Sequence, residues 1–192
     1  GGRPRLANIE MAVDDVLKRK VPGDLIEAGA WRGGATMVMR AALKCRGVND
    51  RTVWVADSFE GMPVPVHPAD EGYDASQLPE LVASVEDDKA AFARSGLLDD
   101  RVRFLKGWFK DTLKDAPITR LAILRVDADL YQSTTEALQY LYPKVSPGGY
   151  VIVDDYGAMP PCKKAVDEFR AQNHLKAPVQ QIDWTGIYWI KE

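Results

Sequence analysis

Apolar and polar residues recur along this chain with two periods. Leu6, Ile9, Val13, Val16 and Leu17 fall at helical spacing and predict an N-terminal helix. Asp24-Leu25-Ile26 is a short apolar run that leads into Glu27-Ala28-Gly29. Behind Gly33-Gly34 a helical run of Ala, Met and Leu extends from Ala35 to Leu43. Thr52 to Ala56 is β-branched and strand-like, and it ends at Asp57. Leu81, Val82, Val85, Ala90 and Phe92 predict a charged helix that closes near Gly96. Val102 to Leu105, Leu121 to Val126 and Tyr150 to Val153 read as strands, with a helix over Thr134 to Tyr142 between the last two. Arg125 is the one break in the apolar run Leu121–Val126. Pro160-Pro161 marks another helix start, where a missing N–H costs least. Val179 to Asp183 and Ile187 to Ile190 flank Thr185-Gly186 and predict a closing hairpin.

Strands alternating with helices over short connections predict an α/β domain, a mostly parallel sheet covered on both faces. One segment departs from the pattern. Gly61 to Leu78 carries Pro63, Pro65, Pro68 and Gly72 and has no period. A loop this long in a compact domain is usually functional or disordered. It is read as a lid over residues 61–79, with Tyr73 and Asp74 at the entrance for an acceptor.

Composition narrows the function classes. The 192 residues suit a single domain, 1–192. Lys+Arg 25 against Asp+Glu 28 leaves a net charge of -3, without the basic excess of a nucleic-acid binder. No apolar run approaches the length of a membrane span, and no charged-then-apolar leader is seen, so a cytoplasmic location is expected. Cys45 and Cys162 lack metal or redox spacing and read as free thiols. His67, in the loop, and His174 read as exposed, and the aromatic stretch Trp184 to Trp189 as hairpin core.

Chemistry concentrates where strands end. Glu27, Asp57, Gly107, Asp127, Asp129, Asp154 and Asp155 all follow predicted strands, the side of such sheets on which ligands bind. Glu27-x-Gly29 with Gly33 and Gly34, interrupted by Ala30, Trp31 and Arg32, is not the G-x-G-x-x-G of dinucleotide binders. A carboxylate there repels a pyrophosphate but suits a cationic ligand such as S-adenosylmethionine. Asp57 is placed to accept both hydroxyls of a ribose. Gly107 and Trp108 are placed to flank an adenine, Trp108 offering a flat π face. Asp127, Asp129, Asp154 and Asp155 end two neighbouring strands. Their mutual repulsion is relieved by protons or by a cation, and all-oxygen ligation favours Mg²⁺, Mn²⁺ or Ca²⁺. A metal touching an acceptor hydroxyl beside a methyl donor points to hydroxyl methylation. An NAD-dependent or nucleotide-sugar enzyme on the same sheet remains an alternative, as does a cofactor-binding protein without turnover.

The runs DLIEAGAWRGGATMVMRAAL, VWVADSFEGMP, LRVDADLYQSTTEAL and YPKVSPGGYVIVDDYG, with GWFKDTL and the closing WTGIYWIKE, resemble the macrocin O-methyltransferase family over Leu6 to Glu192. The resemblance implies a Rossmann-like class I methyltransferase fold of seven strands, the last antiparallel. It implies S-adenosylmethionine and Mg²⁺ as cofactors and a small hydroxylated, glycosylated acceptor of natural-product biosynthesis, with a catechol-like acceptor as the alternative. By motif matching, Asp127, Asp154 and Asp155 are the metal ligands, and Asp127 is also the base. Glu27, Gly29, Ala30, Trp31, Gly33, Gly34, Asp57, Ser58, Gly107, Trp108 and Asp127 form the cofactor site. Neither nucleic acid nor membrane is expected as a partner, and self-association is left open.

Overall fold

The computed structural model describes residues 2–192. Helix α1 (Arg3–Lys18) is followed by β1 (Asp24–Ala28), α2 (Gly34–Cys45) and β2 (Val53–Asp57). After the long loop come α3 (Val85–Arg94), β3 (Val102–Lys106), a single turn α4 (Phe109–Thr112), β4 (Leu121–Val126), α5 (Tyr131–Leu141), β5 (Val145–Val153) and α6 (Pro160–Gln172). The chain closes with β6 (Gln180–Gln181) and β7 (Ile187–Ile190). The sheet order is β3-β2-β1-β4-β5-β7-β6, with β7 antiparallel to both of its neighbours and every other pairing parallel. This is the seven-stranded, Rossmann-like arrangement expected of class I methyltransferases.

The apolar strands are continuous because both faces are covered, and successive side chains take opposite faces. Ile26, Leu124, Val126, Val151 and Val153 pack on one face with Leu138, Leu141, Cys162, Val166 and Trp189. Leu25, Val53, Ile123 and Ile152 pack on the other with Ile9, Val13 and Val16 of α1 and Met39 and Leu43 of α2. Phe92 of α3 joins Val55 and Phe59 in a third cluster.

From β1 the chain runs outward to β2 and β3, then returns to place β4 and β5 on the other side of β1. The carboxyl ends of β1 and β4 therefore diverge at the topological switch and leave a crevice. Gly29 makes this junction possible. Its φ is +90°, and a Cβ there would lie 1.8 Å from the carbonyl oxygen of Asp127. No other residue allows the two strand ends so close.

Four expectations are revised. Helix α3 starts at Val85, not at Leu81: Pro79 sets a short 3-10 turn over Pro79–Leu81, and the Ser84 side chain accepts the Asp87 N–H as an N-cap. Val82 is exposed accordingly. Strand β5 begins at Val145 and runs through Pro147-Gly148-Gly149, where its pairing with β4 shifts register. The closing hairpin pairs only Gln180–Gln181 with β7. In it, Trp189 is fully buried, but Trp184 is 73% exposed and is not core. Among the described residues no helix is long and apolar enough to cross a membrane.

Candidate active site

At the switch point lies a cavity of about 390 Å³. Its floor is Gly29 and Asp127, one wall is Trp31, Asp57 and Ser58, and another is Trp108, Phe109 and Leu130. The loop residues Gly61 to Val66 line it as well. Three non-glycine residues around it, Trp31, Phe59 and Asp129, have positive φ of 48°, 57° and 56°. Such left-handed backbone costs about 1–3 kcal/mol per residue and persists where the surroundings enforce it.

Asp57 is what holds the first two of these turns. Its Oδ2 accepts the Trp31 backbone N–H at 2.8 Å and its Oδ1 accepts the Phe59 N–H at 2.8 Å. The carboxylate at the end of β2 thereby ties the glycine-rich turn of β1 to the start of the long loop, with acceptor capacity left over. Ser58 hydroxyl donates to the Gly61 carbonyl at 2.7 Å. The Trp31 indole donates to the Glu80 carbonyl at 3.1 Å and so pins the far end of the loop.

The acidic residues form a second layer. Asp127, Asp154 and Asp155 each offer a carboxylate oxygen, and these oxygens lie within 4.8 Å of one another. Arg125, 3% exposed, reaches from β4 beneath them. It donates to Glu27, to Asp127 Oδ2 at 2.8 Å and to Asp154. Arg5 of α1 grips the other oxygen of Asp154 and also Asp183. Asp183 caps the Thr185 and Gly186 amides, and the Thr185 hydroxyl donates to the Asp154 carbonyl, so a closed ring surrounds this aspartate.

Burial, then the charges of Asp127 and Asp129, pushes the Asp155 carboxyl up to about 10. Burial and Asp127 push Asp129 up to about 6. Asp155 Oδ2 is buried without a hydrogen-bond partner. Carboxyls held this close, one of them with an orphaned oxygen, form a donor set that a hard divalent cation satisfies.

Of the residues predicted to hold a cofactor, Gly29, Trp31, Asp57, Ser58, Trp108 and Asp127 line the cavity. Ala30, Gly33, Gly34 and Gly107 shape the turns behind it and do not line it. Glu27 does not reach it either. It is 2% exposed, accepts from the Thr36 backbone N–H and hydroxyl, and pairs with Arg125. Burial raises its pKa to about 7 against the pull of Arg125. In this structure Glu27 is an anchor between Thr36 and Arg125 and does not line the cavity. His67 is not free on the surface but stacks on Tyr131 at 4.2 Å.

Two residues that matter here were not singled out from the sequence. Arg125 was visible only as an interruption of an apolar strand, and that interruption was its signal. Asp88 of α3 gave none. It is 2% exposed, has one oxygen without a partner, and is raised to about 7 by burial and the charge of Asp57.

Comparison with known proteins agrees with this geometry. The profile of the family described as Macrocin-O-methyltransferase (TylF) matches residues 1–191. The chain is 51% identical over 195 residues to a demethyldecarbamoylnovobiocin O-methyltransferase of Streptomyces niveus, covering 98% of the chain and 73% of that protein. It is 46% identical over 197 residues to a mycinamicin III 3''-O-methyltransferase of Micromonospora griseorubida, covering 98% and 76%. The solved structure of the O-methyltransferase NovP superposes with a TM-score of 0.97 at 51% identity, over 99% of this chain and 80% of that one. A calicheamicin methyltransferase at 22% identity and a TM-score of 0.75, over 97% and 78%, shares the fold. No observation remains in favour of an NAD-dependent enzyme.

Arg125 is the cation on which this site's charge balance turns. Replacing it in Arg125→Met strands buried carboxylates and is expected to cost about 3–5 kcal/mol in unfolding free energy. Urea unfolding of the metal-free protein measures this. A loss below about 1 kcal/mol would show that the carboxylates are neutral without it.

Proposed function

This chain belongs to the macrocin O-methyltransferase family and is a methyltransferase, and from that premise we propose that it methylates a sugar hydroxyl of a bacterial natural product, using S-adenosylmethionine and a divalent cation. The observation that carries the reading is the pairing of two sites at one switch point. A partly apolar cavity with a free-lone-pair carboxylate at the end of β2 abuts an acidic cluster at the ends of β4 and β5. Relatives named for acting on novobiocin and mycinamicin precursors support the acceptor class.

Asp57 would accept the ribose hydroxyls on the lone pairs that Trp31 and Phe59 leave open. Trp108 would face the adenine. The sulfonium would lie toward Asp127, where the carboxylates exceed the neighbouring guanidiniums. S-adenosylmethionine supplies the methyl group. Asp127, Asp154 and Asp155 would hold the metal, which favours Mg²⁺ by its oxygen donors and lowers the pKa of a hydroxyl it touches.

The chain's own residues do the rest. Asp127 lines the cavity with its Oδ2 held by Arg125, and its other oxygen would take the acceptor proton. Arg125 and Arg5 hold Asp154 from two sides and fix its orientation. Met62, Pro63 and Pro65 of the loop line the cavity and would shield the reacting groups from water. In-line transfer then depends on how closely the acceptor oxygen is held to the methyl carbon.

Two expected outcomes follow. Asp57→Ala weakens S-adenosylmethionine binding about tenfold to a hundredfold by calorimetry, the range for losing hydrogen bonds to a charged group. Asp57→Asn, which keeps an acceptor for the turn, is intermediate. Undiminished binding in both would remove Asp57 from the cofactor site. Asp155→Asn lowers turnover at least tenfold, or about 1.4 kcal/mol in barrier, and weakens Mg²⁺ binding while cofactor affinity is kept. Unchanged turnover with unchanged Mg²⁺ affinity would contradict the metal assignment.

A further inference from the structure

Between its two tied ends, the loop over the cavity is joined to α5 by a buried carboxylate. Asp70 lies in a proline-rich, polar stretch, yet it is 1% exposed. Its Oδ1 accepts the backbone N–H of Tyr131 at 2.6 Å and its Oδ2 accepts that of Gln132 at 3.2 Å. These two residues begin α5. The first N–H groups of a helix have no partner within it, and negative charge beside them is favoured. Leu130 immediately before α5 has no side chain able to cap it. The helix therefore takes its cap from a residue 61 positions earlier in the chain.

Neighbouring contacts reinforce the join. His67 stacks on the Tyr131 ring at 4.2 Å, and its Nδ1 accepts the Ala69 N–H at 3.1 Å, which shapes the turn carrying Asp70. The Tyr131 hydroxyl donates to Glu168 of α6 at 2.6 Å, so the receiving helix start is itself anchored.

Both sides of this join face the same cavity. Met62, Pro63 and Pro65 come from the loop, Leu130 and Ser133 from the residue before α5 and from its start, and Asp70 itself lines the cavity. Opening the loop would leave Tyr131 and Gln132 uncapped, directly after the Asp127-Ala128-Asp129 run. We infer that Asp70 is a positioning residue for the cofactor. It sets the loop roof and the start of α5 at a fixed separation around the bound molecule, so that cofactor retention depends on this cap. The inference rests on the reading of the cavity as the S-adenosylmethionine site.

The test compares wild type, Asp70→Ala and Asp70→Asn in two measurements. Amide hydrogen exchange without ligand reads the join itself, and the dissociation rate of S-adenosylmethionine reads its consequence. In Asp70→Ala, the Tyr131 and Gln132 amides and loop residues 61–66 exchange about fivefold faster or more, and the cofactor leaves about fivefold faster, the factor that losing an N-cap implies. Asp70→Asn, still able to cap, recovers most of both. Faster exchange with an unchanged cofactor rate would make Asp70 a helix cap only and overturn the inference. Unchanged exchange would overturn it as well. A wild-type protein that binds no S-adenosylmethionine would remove its premise, and the exchange data would separate that failure from a failure of the join.

Discussion

Everything at the catalytic end of this sheet depends on the guanidinium of Arg125. It is a permanent charge buried among apolar strands, and such a charge is tolerated only when paired and hydrogen-bonded. It meets Glu27 from β1, Asp127 from the end of β4 and Asp154 from the end of β5. One side chain thus joins three adjacent strand ends across the point where the sheet reverses direction. The same carboxylates raise its own pKa well above the usual arginine value and hold it charged. Without it, Glu27 would need a proton or another cation, and Asp154 would keep only Arg5. With it, two of the three clustered aspartates are aimed before any ligand arrives.

That arrangement divides the acidic residues by role. Glu27, one oxygen of Asp127 and both oxygens of Asp154 belong to the internal charge network. Asp155, with a buried oxygen that has no hydrogen-bond partner and a raised pKa, stands outside that network. Asp57 has a different partner set, the amides of two strained turns, and so carries its charge at the cavity wall without an arginine. Preorganisation of this kind is how an active site avoids reorganising during reaction.

The parallel order of the sheet, the switch point and the strand-end clustering of acids could be read directly, because buried parallel strands are continuous apolar runs and their ends are marked by the first charged residue. The aspartate cluster followed from two such runs being neighbours. Glu27 fits a ligand contact by type and position, but its burial depends on Thr36 and Arg125, which no local pattern connects to it. Asp70 and Asp88 were silent for the same reason. The α5 amides that meet Asp70, and the position of Asp88 beside Gly33, are set by tertiary packing. The start of α3 was missed because Leu81 and Val82 continue the helical spacing, whereas Pro79 and Ser84 decide the boundary.

The most direct measurement is a crystal structure with S-adenosylhomocysteine and Mn²⁺, the metal located by its anomalous signal. The account predicts the nucleoside between Asp57 and Trp108, and one anomalous peak touched by Asp127, Asp154 and Asp155, with Arg125 still bound to Glu27. A nucleoside elsewhere, or a peak away from these three aspartates, would contradict it.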